Sequence, residues 1–310
     1  MSRSRRGQGL ILTVLRGIGK QFKNGTVPIH IVFLIYSFLC IFPLAIVIGV
    51  SFSSETSIAY HGYQVIPAET SLAAYKFVLK DGIAVLRAYM ITIIVTVCGT
   101  LSGLLLVGLY AYPLSRKDFK YRKFFSLFAF LTMLFSGGLV PWYIVIVRLL
   151  QLKNTIPVLF LPYLQNAWFI LIMRTFFKSI PDSLIESAKI DGAGEYRIFF
   201  KIIVPLSIPG LATISLFFSL LFWNDFFLNL MFTDNEKLFN LQYLMVRVQL
   251  NIQYLSQVTT GGQSAEIMKN IPSKTSQMAM CVLAIGPIVF AYPFFQRFFI
   301  KGLTVGALKE

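Results

Sequence analysis

The feature that most constrains this chain is a series of apolar stretches, each about 20 residues long, which is the length that an α-helix needs to cross a bilayer. Hydrophobic residues make up 56% of the chain and charged residues only 13%, about half the charged share of a soluble domain. In lipid the backbone polar groups must pair within the segment, which favours helices. The sequence therefore predicts an all-α membrane protein with six transmembrane helices. They are expected at about residues 29–52, 88–112, 124–147, 155–173, 208–232 and 277–299, and the third should bend at Gly137-Gly138 and Pro141.

The basic residues between these stretches predict the topology. Nineteen of the 28 Lys and Arg residues fall in the N-terminus, the second and fourth loops and the tail counted from Arg297, and nine fall in the other loops. Loops rich in Lys and Arg stay in the cytoplasm, so both termini should be cytoplasmic. The chain then divides into a basic N-terminal segment, residues 1–28, and a membrane domain, residues 29–310, with a long outer loop over residues 233–276. In such a protein the net charge of +15 indicates contact with anionic membrane lipid rather than nucleic acid.

Catalytic and metal-binding patterns are not expected. Cys40, Cys98 and Cys281 lie in apolar stretches, and His30 and His61 have neither zinc-site nor catalytic-triad spacing. The phosphate-binding pattern G-x-x-x-x-G-K-[ST] is absent, so this chain should not hydrolyse ATP. We predict no catalytic residue, no metal and no cofactor in this chain.

A cytoplasmic segment of unusual length, residues 174–207, separates the fourth and fifth stretches. Its first half predicts a short helix, in which Ser179 and Asp182 fit a capping box, Pro181 is tolerated in the first turn and Gly192 ends the helix. An apolar stripe that includes Leu184 would suit docking into another protein, and an amphipathic helix on lipid headgroups is the alternative.

The motifs of this segment resemble the EAA loop of permease subunits in binding-protein-dependent ABC importers, and most of all the carbohydrate, maltose-type branch. Residues 133–141 resemble a third-helix signature associated with oligosaccharides, and residues 292–296 and 301–307 resemble the C-terminus of that subgroup. Ser187 stands where the family usually has Ala, and Val204 where it usually has Leu. The EAA-like residues are Glu186-Ser187-Ala188, Asp191-Gly192-Ala193, Phe200, Ile203 and Pro205.

The resemblance implies that residues 174–207, here named the coupling segment, hold a helix that sits in a cleft of a cytoplasmic ATPase subunit. Glu186 would be the charged contact, Ala188 and Gly192 would allow close approach, and Asp191-Gly192 would turn the chain. The implied partners are a second homologous permease subunit, two ATPase subunits that bind ATP and Mg²⁺, and an extracytoplasmic sugar-binding protein, at a bacterial inner membrane. The predicted ATPase-coupling residues are Glu186, Ser187, Ala188, Asp191, Gly192, Ala193 and Pro205.

Polar residues inside the apolar stretches are candidates for a substrate pathway. Asp225 is the only acidic residue in the six stretches, and Asn229 follows four residues later, on the same face of a continuous helix. Beside them, Trp223 and Asn224 add an aromatic ring and an amide, which together with a carboxylate suit sugar recognition. A structural hydrogen bond to a partner subunit is the alternative for Asp225. Asn166 is a further candidate, which could instead bond between helices or to backbone freed by Pro162.

The resulting function is the transmembrane permease subunit of an ATP-driven importer, forming half of the pathway for a sugar, with an oligosaccharide favoured. An ion- or proton-coupled secondary transporter is the alternative from another class. Such transporters usually carry internal repeats and several intramembrane charges, which this sequence does not display.

Overall fold

A computed structural model describes residues 27–258, 273–286, 288, 289 and 293 of the chain. Within these residues the regular structure is helical, apart from one isolated antiparallel bridge between Ser53 and Thr70. The chain divides into two compact units. The smaller comprises the described residues up to 77 together with 273–282, and the larger comprises residues 78–258 and the described residues from 283 onwards.

The smaller unit begins with the most apolar helix of the described chain, α1 (Val27–Ser51), which contains no Asp, Glu, Lys or Arg and covers the first predicted stretch. A short helix, α2 (Glu55–His61), follows because the Ser54 hydroxyl accepts a hydrogen bond from the Ser57 N–H at 3.0 Å. The α3 helix spans Ala73–Val78.

The Glu55 carboxylate links α2 to the start of the helical residues 273–286. Its two oxygens accept hydrogen bonds from the Ser273 hydroxyl, the Lys274 N–H and both the N–H and the hydroxyl of Thr275, at 2.9–3.1 Å. Because the first N–H groups of a helix have no partner inside it, this carboxylate acts as a cap supplied from a distant part of the chain.

The larger unit is built around α4, a helix of 34 residues whose first turn is capped by the Asp81 carboxylate. Its other helices are mostly short, and π-helical or 3₁₀ turns connect several of them. In chain order the helices are α4 (Gly82–Ser115), α5 (Arg122–Leu134), α6 (Leu139–Ile144), α7 (Ala167–Lys178), α8 (Asp182–Ile190), α9 (Glu195–Ile198), α10 (Val204–Leu206), α11 (Ile208–Trp223), α12 (Phe227–Phe232) and α13 (Leu241–Val258).

The core of the larger unit lies where α4 meets α7 and α11. Two glycines of α4 lie directly against phenylalanine rings of α11. A methyl group placed on Gly99 would come within 2.6 Å of the Phe222 ring, and one placed on Gly103 within 2.7 Å of the Phe218 ring. Small residues at such crossings let helices approach closely when packing, rather than exclusion from water, drives their association.

Two helices, α1 and α4, are each long and apolar enough to cross a membrane, and three further candidates are bent pairs of shorter helices. The third predicted stretch bends by 111° between α5 and α6, where Gly138 adopts a φ of 84°, so the expected bend at Gly137-Gly138 is confirmed. The fourth bends by 60° before α7, and the helical residues 195–206 meet α11 at 81°. Only residues 277–286, 288, 289 and 293 of the sixth stretch are described, so the total of six spans stays a prediction.

The fifth predicted stretch, residues 208–232, is not one helix, and that expectation is wrong. The α11 helix ends at Trp223, residues 224–226 are irregular, and α12 begins at Phe227. The spacing of four residues therefore does not place Asp225 and Asn229 on one face of a continuous helix. The predicted outer loop over residues 233–276 is also more ordered than a loop, because α13 lies within it.

Candidate functional site

The predicted helix of the coupling segment is α8 (Asp182–Ile190), and it starts differently from the expectation. Ser179 does not form a capping box, because it ends α7 and its hydroxyl donates to the Phe176 carbonyl at 2.7 Å. The extended backbone of Pro181 precedes the first turn of α8 without a side-chain cap. Lys117 instead contacts the carboxylate of Asp182 at 2.8 Å, so the acidic first residue of α8 is held from another part of the chain.

The end of α8 matches the expectation of a stop at Gly192. The Ala193 N–H donates to the Ala188 carbonyl at 2.9 Å and the Gly192 N–H to the Lys189 carbonyl at 3.0 Å, which is the pattern of a Schellman motif. Gly192 has a φ of 75°, a left-handed conformation that costs other residues energy. Asp191 is the C-terminal cap, so Asp191-Gly192 does turn the chain towards α9.

The two faces of α8 have different surroundings. Ile185 and Ala188 are buried in the core of this chain, with 2% and 9% of their surface exposed. Ala188 is therefore not on the outward face, and its small side chain fits packing within this subunit. Glu186 and Ser187 are exposed.

Three large apolar side chains of this segment are exposed; the predicted stripe included Leu184, whereas Ile190 and Tyr196 were not assigned to the site. Ile190 is 86% exposed, Tyr196 is 79% exposed and Leu184 is 45% exposed. An apolar side chain directly before the Asp-Gly stop was the signal that could have identified Ile190. Pro205 is exposed in the short helix α10, directly before the 81° bend.

A network of charged and polar side chains ties α8 to the end of α4. Lys189 is central, because its ammonium lies 2.9 Å from the Asp118 carboxylate and 2.8 Å from the Glu195 carboxylate. The Tyr112 hydroxyl of α4 donates to the other oxygen of Glu195 at 2.6 Å. Arg116 lies 3.4 Å from Asp118 and 3.9 Å from Asp182, which extends the network to the first residue of α8.

The charges of this network hold one another in their ionised forms. The hydrogen bond from Lys189 lowers the pKa of Asp118 below its ordinary value, and the hydrogen bond from Lys117 does the same for Asp182. Conversely, the hydrogen bonds to Glu195 and Asp118 raise the pKa of Lys189. Asp118, Asp182 and Lys189 are therefore charged at neutral pH. A cavity of about 600 Å³ opens beside it, lined in part by Tyr112, Asp118 and Tyr196.

Asp225 lies in the break between α11 and α12 and organises the backbone there. One carboxylate oxygen accepts the Leu228 N–H at 3.1 Å, and the side-chain amide of Asn240 donates to the Asp225 carbonyl at 2.5 Å. The Tyr163 hydroxyl lies beside the same carboxylate. We name Tyr163, Asp225 and Asn240 the Asp225 cluster. Sequence reasoning missed Tyr163 and Asn240, which lie in other segments and carry no motif.

The remaining predicted pathway residues have separate environments. Asn224 is exposed, and its amide donates to the Leu220 carbonyl at 2.8 Å. Trp223 is buried, and its indole N–H donates to the Ala284 carbonyl at 3.0 Å. Asn229 is fully buried, and neither atom of its amide has a hydrogen-bond partner among the described residues. Asn166 caps α7, accepting the Phe169 N–H at 3.2 Å.

The structure thus brings Asp225 together with Tyr163 and Asn240, and it does not link Asn166 to them through any hydrogen bond between described residues. In the described part of the chain, no group of three or more His, Cys, Asp or Glu side chains could hold a metal ion.

Comparison with known proteins covers nearly the whole chain. Residues 9–305 match the family described as "Binding-protein-dependent transport system inner membrane component". The chain is 35% identical over 280 residues to the polygalacturonan/rhamnogalacturonan transport system permease protein YtcP of Bacillus subtilis, which covers 89% of this chain and 95% of that protein. It is 29% identical over 281 residues to the arabinooligosaccharides transport system permease protein AraQ of Halalkalibacterium halodurans. That alignment covers 89% of this chain and 94% of the AraQ protein.

A solved structure has the same overall fold. It is the crystal structure of a bacterial ABC transporter involved in the import of the acidic polysaccharide alginate, and the aligned chain is 26% identical to this one with a TM-score of 0.71. The alignment covers 96% of this chain and 99% of the other.

Proposed function

The chain belongs to the family of binding-protein-dependent transport system inner membrane components, and from this premise we propose that it forms half of the translocation pathway of an ATP-driven importer for a sugar, with an oligosaccharide as the favoured substrate class. It is a non-catalytic permease subunit, and ATP hydrolysis belongs to separate subunits of such systems. The similarity over almost the full length to permeases named for polysaccharide and oligosaccharide transport is the observation that carries the proposal. The secondary-transporter alternative has no comparable support.

The proposed architecture has six spans, both termini in the cytoplasm of a bacterial cell, and the coupling segment on the cytoplasmic side. The partners are a second homologous permease subunit, two ATPase subunits that hold ATP and Mg²⁺, and an extracytoplasmic sugar-binding protein. Loop charge supports this orientation, since the more basic loops lie on the proposed inner side.

For coupling to the ATPase, we propose that α8 docks by its exposed face. Glu186 and Ser187 supply the polar contacts there, and Ile190 and Tyr196 supply apolar area. The remaining coupling residues act from within this chain. Asp191, Gly192 and Ala193 stop the helix, Ala188 anchors it to the core and Pro205 marks the bend that leads to α11.

For the sugar pathway, the support is more local. Asn224 is exposed at the break between α11 and α12, next to the Asp225 carboxylate. Membranes tolerate irregular backbone of this kind only where it is buried in protein or lines a cavity. Asn229 brings an amide without a described partner, and a buried polar group of this kind calls for a water, ligand or partner subunit. Trp223 and Asn166 contribute by holding the ends of α11 and α7 in place.

The test is ATP hydrolysis by the reconstituted complex with sugar-loaded binding protein. Replacing Glu186→Ala should abolish most of the stimulation by the loaded protein while the complex still assembles. Glu236→Ala is the matched control, because Glu236 is also an exposed carboxylate, lies in the predicted outer loop and pairs only with Arg247 at 3.1 Å among the described residues. Sugar uptake that continues in vesicles without any ATPase subunit would instead identify a secondary transporter.

A further inference from the structure

A second cavity, of about 500 Å³, lies where the beginning of α5, the end of α7 and the end of α4 meet. Its lining is strongly one-sided in charge. Four basic side chains line it, and none of the described residues around it is acidic. The basic residues are Arg122, Lys123, Arg174 and Lys178.

The fold explains why these four charges converge. Arg122 and Lys123 start α5, whereas Arg174 and Lys178 are four residues apart on one face of the last turns of α7. None of the four forms an ion pair with a described residue, in contrast to the basic residues of the α8 network. Arg174 is fixed in place, because its Nε donates to the Leu114 carbonyl at 3.1 Å.

The same cavity is apolar towards the middle of the helices. Leu127 and Phe130 continue the lining along α5, and Leu171 continues it along α7. Leu127 is 55% exposed and Phe130 is 45% exposed, so their surfaces are available to a ligand. The cavity is therefore basic at one end and apolar along its length, which requires an amphipathic occupant with an anionic head.

We propose that this cavity binds an anionic glycerophospholipid, with the headgroup phosphate among Arg122, Lys123, Arg174 and Lys178 and an acyl chain along Leu127 and Phe130. Arg and Lys at the cytoplasmic ends of transmembrane helices are the groups that recognise anionic headgroups. A zwitterionic lipid is disfavoured, since its ammonium group would face four unpaired cations. The first turn of α5 favours an anion further, because no side chain caps it. The proposal rests on the proposed function only in placing these helix ends at the membrane surface.

The test measures lipid directly on the complex, purified in detergent with its partner subunits and stripped of native lipid. Native mass spectrometry then follows binding of dioleoyl-phosphatidylglycerol, with dioleoyl-phosphatidylcholine as the zwitterionic comparison. The variant Arg122→Gln/Lys123→Gln/Lys178→Gln leaves Arg174 and its structural hydrogen bond unchanged. We expect it to bind phosphatidylglycerol roughly a hundredfold more weakly, since each basic side chain near an anionic lipid contributes about fivefold.

The matched control is Lys120→Gln/Arg197→Gln/Lys201→Gln, which removes three exposed charges that do not line this cavity. It should bind the lipid as the unmodified complex does, and so should the charge-preserving variant Arg122→Lys/Lys123→Arg/Lys178→Arg. An equal loss of affinity for phosphatidylglycerol in the control variant would overturn the proposal, because the lipid would then bind to surface charge in general rather than to this cavity. Displacement of the lipid by glycerol 3-phosphate at equal concentration would assign the cavity to a soluble phosphate compound instead.

Unchanged affinity of the cavity variant for phosphatidylglycerol would also overturn the proposal. If that variant in addition lost its ATPase subunits, the basic surface would belong to a protein partner instead. None of these results bears on the Glu186 experiment, which measures stimulation of ATP hydrolysis. Failure of lipid binding and failure of the proposed function are therefore separable.

Discussion

The coupling segment and the Asp225 cluster are stabilised in contrasting ways. In the coupling segment, Lys189 joins Asp118 and Glu195 through contacts between charged side chains at 2.8–2.9 Å. In the Asp225 cluster, the hydrogen bonds join a side chain to the backbone: the Asp225 carboxylate accepts from the Leu228 N–H, and the Asn240 side-chain amide donates to the Asp225 carbonyl. In water, charged pairs can be broken and remade at little cost, whereas irregular backbone inside a membrane must be paired. The coupling segment is therefore suited to movement, and the Asp225 cluster to fixing a break between helices.

The largest effect should come from the cluster. Replacing Asp225→Ala leaves the buried Leu228 N–H without its acceptor, and an unsatisfied buried group costs about 2 kcal/mol. We expect a clearly lower unfolding temperature of the purified complex in detergent. The control is Asn224→Ala, at the exposed neighbouring position, which should change the free energy of unfolding by less than about 0.5 kcal/mol. Equal effects at both positions would remove the contrast between the two regions.

A smaller effect is expected at the end of α8. Gly192→Ala forces an L-residue into a φ of 75°, at a cost of about 1 kcal/mol. Gly194→Ala is a close control, because both glycines have open space around the Cβ position and Gly194 has an ordinary φ of −71°. Thermal unfolding of the two variants separates backbone strain from crowding, and a loss of stability in Gly194→Ala would contradict this explanation.

The charged network should matter more for coupling than for stability. Lys189→Met should lower the free energy of unfolding by less than about 1 kcal/mol, because the Lys189 side chain is 39% exposed. We expect, however, a lower ratio of sugar transported to ATP hydrolysed, since α8 loses its contacts with Asp118 and Glu195. The same variant made in a Tyr112→Phe background should add little to the effect on this ratio, because both residues act on Glu195. Fully additive effects would show that they act separately.

The smallest effect is the pH dependence of this network. The lowered pKa of Asp118 means that its stabilising contribution is present above its ordinary pKa of 3.8 and is lost as the pH falls through the lowered value. The raised pKa of Lys189 means that its contribution is present below 10.5 and is lost as the pH rises through the raised value. The difference in stability between the unmodified protein and Asp118→Asn should therefore be constant near neutral pH and shrink at both extremes. A change in this difference around pH 7 would contradict the assignment.

The sequence predicted the parts of the fold that depend on local composition. The apolar runs identified α1 and α4, and the Gly137-Gly138 and Gly192 positions marked a bend and a helix end because glycine adopts positive φ readily. The break at residues 224–226 was missed, since Trp223-Asn224-Asp225-Phe226 contains neither proline nor glycine. The Lys189 network was also inaccessible, because Asp118 and Tyr112 lie 71 and 83 residues from their partners in the chain. Pairing over such separations depends on helix packing rather than on local pattern.

The cap that Glu55 provides to residues 273–275 has a consequence for the order of biosynthesis. The bonded groups are 218–220 residues apart, so a ribosome adding 5–20 residues per second needs roughly 10–40 s after Glu55 before it has made them. The link between α2 and residues 273–275 therefore forms late, only after the whole stretch from α3 to α13 has been synthesised.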